Sequence, residues 1–403
     1  ERLAGFAPRM GGVYASRRNY DNGPEKRDNV SVLAPYLTRR IVTEAEVVAT
    51  ALAHHAPSKC EKFVQEVVWR TYFKGWLERR PAVWDGYRLG VEEDRAALAG
   101  DRRLARDHAR AVEGATGIEA FDAWAVELVE TGYLHNHARM WFASIWCFTL
   151  GLPWRLGADF FLRHLVDGDA ASNTLGWRWV AGLHTVGKPY VAAEWNIARF
   201  TGSRPGGALA AAGLAQAPLA LDEGGLDPAG PVPTVEAPRW DRPTALMLTT
   251  EDLGVETLEA RAPVAVATLQ LTGMRSDAPT APAVAAFDRG ALADAGARAQ
   301  ARWGVAPGPA LEAADGIEAV IDWARAAGAE RIATPYLHAG WVRDWLAPRR
   351  GALAAAGLAL AEIRRPWDAA FHRHCTAGFF KVKKAIPAEL SRLGVESNSS
   401  PAR

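Results

Sequence analysis

Thirteen consecutive residues, Asp167–Trp179 (DGDAASNTLGWRW), gather two carboxylates, a side-chain amide and two tryptophans. An apolar core avoids carboxylates, because burying one without a partner costs several kcal/mol. A solvated loop has little use for paired indoles. The combination predicts a pocket that holds a polar, aromatic ligand beside indole rings. The plainer alternative is an acidic helix-capping turn followed by core tryptophans. Two upstream segments repeat the theme. Phe63, Glu66, Trp69, Arg70 and Phe73 fall at helical spacing and share one face, as do Asn136, Arg139 and Met140. Taken alone, Glu66 reads as a snorkelling surface carboxylate beside core rings. With the second face and the acidic turn, it reads as part of one shared pocket.

These groups need rigid elements to hold them. Thr43 with Glu46 and Ser58 with Glu61 fit the capping-box pattern, predicting helices that begin near residues 44 and 59. Helical patterns continue over Ile118–Thr131, Leu134–Leu150 and Arg155–Val166. From Thr201 to Trp240 glycine, alanine and proline dominate, which predicts a linker or loosely ordered connection. Beyond it, short apolar runs at Ala245–Thr249, Val264–Leu269, Arg331–Thr334 and Ala359–Ile363 alternate with helical stretches near Asp288–Arg302, Ile317–Ala327 and Trp341–Ala356. That alternation predicts a Rossmann-like parallel sheet with helices on both faces. The fold class is therefore multidomain, α followed by α/β. The expected division is a helical domain at 1–204, a linker at 205–240, an α/β domain at 241–390 and a disordered tail at 391–403.

The 403 residues suffice for two domains. A hydrophobic share of 49% and a charged share of 23% are those of a soluble globular protein, and a net charge of +1 gives no gross electrostatic attraction to any partner. The local run Arg102, Arg103, Arg106 and Arg110 is interleaved with Asp101 and Asp107 and reads as a solvated helix face. Cys60, Cys147 and Cys375 are widely spaced, which excludes a four-cysteine iron–sulfur cluster and predicts no disulfide framework. No signal-peptide pattern opens the chain, and the apolar run Met140–Trp154 is too short to span a bilayer. The expectation is a cytoplasmic monomer with no membrane association and no metal.

Four ordered blocks, VSVLAPYL (Val30–Leu37), QEVVWRTYF (Gln65–Phe73), TGYLHNHARM (Thr131–Met140) and DGDAASNTLGWRW, resemble the flavin-binding domain of the DNA photolyase and cryptochrome family over about residues 20–200. The resemblance implies FAD as cofactor. Ser31 and Leu33 match residues that grip the flavin phosphate and ribityl chain, with Tyr20 a looser match and Arg70 a further cofactor contact. Arg139 and Asp167 match an ion pair beside the isoalloxazine ring, Asp169 the residue at its polar edge, and Asn173 the side chain facing N5. Glu66, Trp69, Asn136, Met140 and Trp179 match the pocket for a flipped pyrimidine dimer. Stacking there would offset part of the unpairing energy. Trp177 and Trp154 match the inner members of an electron-conducting tryptophan chain; the outermost member has no match. His135 and His137, at other helical angles, read as structural. Ala34, Phe63 and Thr174-Leu175 depart from the family pattern.

The implied function is light-driven repair of cyclobutane pyrimidine dimers in UV-damaged DNA. The alternative is a cryptochrome-like blue-light sensor that binds FAD without repairing. A flavin oxidoreductase using the second domain for a nucleotide finds no GxGxxG motif to support it. The order of halves is reversed from the family's usual one. The terminal segment Trp367–Pro387 and the preceding helix–strand unit faintly resemble the close of an antenna-pigment domain, so a circular permutation is expected, with a second antenna chromophore as an additional cofactor. An unrelated Rossmann-like domain is the alternative for that half.

Overall fold

The computed structural model describes residues 1–306 and 308–395. Its first half is a stack of helices running from Arg2–Phe6 to Glu194–Thr201, centred on the long helix Pro57–Glu78. The capping box at Thr43 forms as the sequence predicts, with Thr43 and Glu46 bonded reciprocally ahead of the helix Glu44–His54. The second one does not. Pro57 occupies the first helical turn, where its missing N–H is no loss, so Ala56 is the N-cap and Ser58 lies inside the helix. The expected continuous helix over Leu134–Leu150 is also corrected. It begins at Asn136 and runs to Ser144, then widens into a π-turn, Ile145–Thr149, closed by the Leu150 N–H donating to the Ile145 carbonyl.

Aromatic rings fill this half. Trp84, Trp124, Trp141 and Trp146 are fully buried. At roughly 25 cal/mol per Å² and roughly 200 Å² each, every such ring contributes about 5 kcal/mol of transfer free energy. The packing is close. A Cβ on Gly157 would lie 2.3 Å from the Trp177 ring, so only glycine lets that indole pack against the helix Trp154–His164.

The second half is a five-stranded parallel sheet in the order β3-β2-β1-β4-β5. The strands are β1 Thr244–Leu248, β2 Val266–Gln270, β3 Ala310–Glu312, β4 Arg331–Pro335 and β5 Ala359–Ile363. β1 is buried at every position, as expected for a strand covered on both faces. Leu246 lies beside Val266 on β2 and Ala333 on β4. The sequence reading missed β3, which is three residues long with only Leu311 buried. The predicted helix over Trp341–Ala356 is interrupted by a 3-10 turn at Ala347–Arg349, where Pro348 removes a donor. No helix among the described residues is long and apolar enough to cross a membrane.

The Gly/Pro-rich connection has no helix or strand, yet it is not loose. Ala210 accepts from the Ala120 N–H, Leu221 donates to Ala181, Gly230 donates to Arg79, and Glu236 accepts from Glu362. Glu223 takes bonds from Trp154, Arg155 and Arg178. The expected disordered tail is corrected in part: the helix Phe380–Arg392 continues through Ser391. Residues 396–403 lie outside the described residues.

The two halves are closely joined. The helix Pro57–Glu78 packs against the helices Pro366–His372 and Phe380–Arg392, with Trp367 Nε1 donating to Thr71 Oγ1 at 2.9 Å. On the other flank, Trp84 Nε1 donates to Asp344 at 2.7 Å. Arg39 and Arg275, both fully buried, bracket Asp288 at 2.8 and 2.9 Å.

Candidate functional site

A cleft of about 590 Å³ opens between the helices Pro57–Glu78, Asn136–Ser144 and Ala170–Val180. Its size is that of a cofactor site. The inner wall is polar. Arg139 meets Asp167 at 2.9 Å, and its Nε donates to the Leu134 carbonyl at 2.9 Å, which fixes the guanidinium plane. Asp167 is buried, so the ion pair is what makes its charge tolerable. Tyr133 stacks under the same guanidinium, 5.3 Å from the ring centre.

Asp169 caps the helix Ala170–Val180 by accepting from the Ser172 N–H at 2.7 Å. Its second oxygen faces Lys74 Nζ at 3.1 Å. Burial would raise this carboxyl, but Lys74 and Arg70 hold it far below the usual carboxylate range, so it is an anion at any ordinary pH. The plainer sequence reading, a capping carboxylate, therefore holds at Asp169 together with the pocket reading. Asn173 lines the same wall and donates to the Ala158 carbonyl at 2.8 Å, while Arg70 donates to Thr38 Oγ1 at 2.5 Å.

Two buried polar atoms of the lining residues, Ser172 Oγ and Trp177 Nε1, have no hydrogen-bond partner within the chain. Buried polar atoms without partners are rare. Together with the Arg139–Asp167 pair and the cleft volume, they fit a large, polar, aromatic cofactor such as FAD.

Toward the mouth the wall becomes aromatic. Trp69 and Trp179 are half-buried, Met140 is half-buried and Asn136 is exposed. Trp179 stacks on Tyr190 at 5.4 Å, and Phe379, from the far end of the chain, covers Trp69 at 4.0 Å. Glu66 pairs with Arg18 at 2.7 Å. Burial raises the Glu66 carboxyl, and Arg18 and Lys62 draw it part of the way back.

Of the residues expected here, Glu66, Trp69, Arg70, Asn136, Arg139, Met140, Asp167, Asp169, Asn173, Trp177 and Trp179 all line this one cleft. Tyr20, Ser31, Leu33 and Trp154 do not. Tyr20 packs on Phe200 at 5.0 Å, Ser31 Oγ accepts from the Leu33 N–H inside its own turn, and Leu33 is buried. That segment reaches the cleft through Asn19 and Ala34 instead. Trp154 is turned to Glu223 and to Tyr87, whose ring lies 5.8 Å away. The tryptophan packed edge-on against Trp177 is Trp146, at 6.1 Å.

Sequence reasoning missed Arg18, Tyr133 and Trp146. Trp146 was read only as part of a buried helix, since its neighbours are all apolar. His137 also lines the cleft while stacking on Trp141 at 4.9 Å, so its role is not purely internal. His135 is the N-cap of its helix, and burial lowers its pKa to about 4.

A separate cluster of His338, Asp368 and His372 lies behind the cleft, with ligand atoms within 4.8 Å of one another. Arg40 donates to both Asp368 oxygens, at 2.7 and 2.5 Å. A cation placed there would face a guanidinium, so the donor set does not suit a metal.

The geometry is that of a helical cofactor-binding domain joined to a parallel α/β domain. The family model described as "FAD binding domain of DNA photolyase" matches residues 63–201. Over this helical half the chain is similar to the FAD-binding domain of DNA photolyases. It is 38% identical over 178 residues to the deoxyribodipyrimidine photo-lyase of Streptomyces griseus, a match covering 42% of this chain and 36% of that one. With the deoxyribodipyrimidine photo-lyase of Synechococcus it shares 32% identity over 200 residues, covering 47% and 39%. The matches thus span less than half the length of these relatives. A bacterial class III photolyase structure from Agrobacterium tumefaciens aligns at 26% identity with a TM-score of 0.39, over 49% of this chain and 41% of that one.

Proposed function

We propose that the chain binds FAD in the cleft and drives light-dependent splitting of cyclobutane pyrimidine dimers in UV-damaged DNA. The observation that carries this reading is the continuity of one cleft from the ion pair Arg139–Asp167 to the half-buried rings of Trp69 and Trp179. When bound, FAD supplies the photochemistry and electron transfer; the protein supplies binding, orientation and electrostatics. Arg139, Asp167, Asp169 and Asn173 would hold the cofactor's polar edge, with Ser172 Oγ and Trp177 Nε1 free to bond it. Trp69, Met140 and Trp179 would receive a flipped base pair, whose extrusion costs least where the pairing is already damaged. Glu66 stands where it can hydrogen-bond a base edge.

The domain assignment follows the same reading: a FAD-binding half at 1–204, a bridge at 205–240 and an antenna-like α/β half at 241–390. Parallel sheet topology and the tethered Gly/Pro-rich bridge support it.

A blue-light sensor that repairs nothing is favoured by one observation. Phe379 already occupies a face of Trp69, and Arg18 already occupies Glu66. Illumination of the FAD-loaded protein with a dimer-containing oligonucleotide, followed by a count of surviving dimers, separates the two. Loss of dimers at a rate set by light supports repair; an unchanged count with a photoreducible flavin leaves the sensor.

A further inference from the structure

Asp169 borders the cleft, but the group that fixes it does not. Lys74 Nζ lies behind it, buried, 3.1 Å from Asp169 and 3.3 Å from Glu251, the third residue after β1. His338, the third residue after β4, donates from Nδ1 to the same Glu251 oxygen at 3.0 Å. Its Nε2 faces Asp368 at 3.6 Å and has no hydrogen-bond partner. Asp368 is gripped by Arg40, and Arg40 also meets Glu44 at 3.2 Å and Asp252 at 3.6 Å. A chain of alternating charges thus runs from the flavin-domain cleft into the α/β half, buried except at Glu251, whose side chain keeps 11% of its surface exposed.

Charges in such a setting are weakly screened, so each group acts on the next with more force than a surface pair. The enclosed space between Lys74, Glu78, Asp169, Glu251 and His338 is about 10 Å³, room for about one water. Little solvent is available to relax a change in charge.

We propose that Glu251 and His338, both from the α/β half, are positioning residues for the flavin pocket: they hold Lys74 against Asp169 and set the charge felt at the cofactor's polar edge. This rests on the FAD reading above. Burial and nearby Lys74 both disfavour an imidazolium at His338, but Asp368 and Glu251 outweigh them and raise its pKa. His372, within ring contact at 5.9 Å, is driven neutral by burial, its pKa falling to about 3. Of the two imidazoles, His338 is the one whose carboxylate neighbours, Glu251 and Asp368, favour a positive charge.

The test is the midpoint potential of FAD bound to the full chain, with flavin absorbance and FAD affinity as companion readouts, in wild type, Glu251→Gln and His338→Gln. Removing a negative charge should raise the potential in Glu251→Gln; removing a positive one should lower it in His338→Gln. A merely structural loosening would not give opposite signs. Either variant alone decides if the other fails to fold, since Gln at 338 keeps a donor for Glu251 and Gln at 251 keeps the side-chain shape. A wild type that binds FAD, with a folded variant whose potential and absorbance are unchanged, overturns the inference and leaves the FAD reading intact. A wild type that takes up no FAD overturns both.

Discussion

At the scale of single residues, the cleft depends on the partner of each charge more than on the charge itself. Asp167→Asn leaves Arg139, which is only partly exposed, without its carboxylate. An uncompensated cation in such a place should cost about 2 kcal/mol of stability and weaken FAD retention by more than tenfold. Thermal unfolding and FAD titration check both; unchanged FAD retention would remove the pair from the cofactor site. Glu66→Ala should slow dimer splitting while sparing FAD binding, because Glu66 lies toward the mouth and Arg18 stays solvated. Equal repair rates would strip Glu66 of its role. Trp177→Phe should block photoreduction by an external thiol. Since Trp146, not Trp154, packs against Trp177, Trp146→Phe should slow it more than Trp154→Phe. The reverse order would restore the route expected from the sequence.

Elements show where pattern reading succeeds and fails. The capping box at Thr43 and the acidic turn at Asp169 were legible because they are local: each bond joins residues three apart. Eleven of the fifteen residues expected in the site line the cleft, and nine of them lie on helix faces whose 3.6-residue period fixes where side chains point. Ser31 and Leu33 lie off this cleft: they sit in a turn, where Val32 adopts a positive φ and no period applies. Lys74, Glu251 and His338 could not be found at all. Each is an unremarkable polar residue in its own segment, and only long-range packing joins them. Close packing at the element scale also gives a test. Gly157→Ala places a methyl against the Trp177 ring and should destabilise the protein by about 1–3 kcal/mol, read by urea unfolding. A neutral effect would mean the two helices can part without strain.

For the whole molecule, the join between halves is ionic and titratable. Arg40 and Asp368 are separated by 328 positions in sequence, yet pair directly across the interface. The sign of the pH effect follows from His338, which faces Glu251, Asp368, Lys74 and His372 and whose folded pKa is raised. Its contribution is complete below the unfolded value of about 6.5 and is lost as pH rises through the higher folded value. Wild type should therefore lose more thermal stability between neutral and alkaline pH than His338→Gln does. Parallel profiles for the two proteins would show that the imidazole is neutral throughout.

One consequence reaches the capture of light. In open parallel sheets, small molecules lodge where the strand order reverses, beyond the carboxyl ends of the strands. Here that reversal falls between β1 and β4, and the loops leaving both strands are spent on Lys74 and Asp368. With room for a single water, the crevice where such a sheet would ordinarily take a ligand is shut by the neighbouring half. On the proposed reading, a sunlight-gathering dye would need a different seat, and without one the protein would depend on bound FAD alone to collect photons.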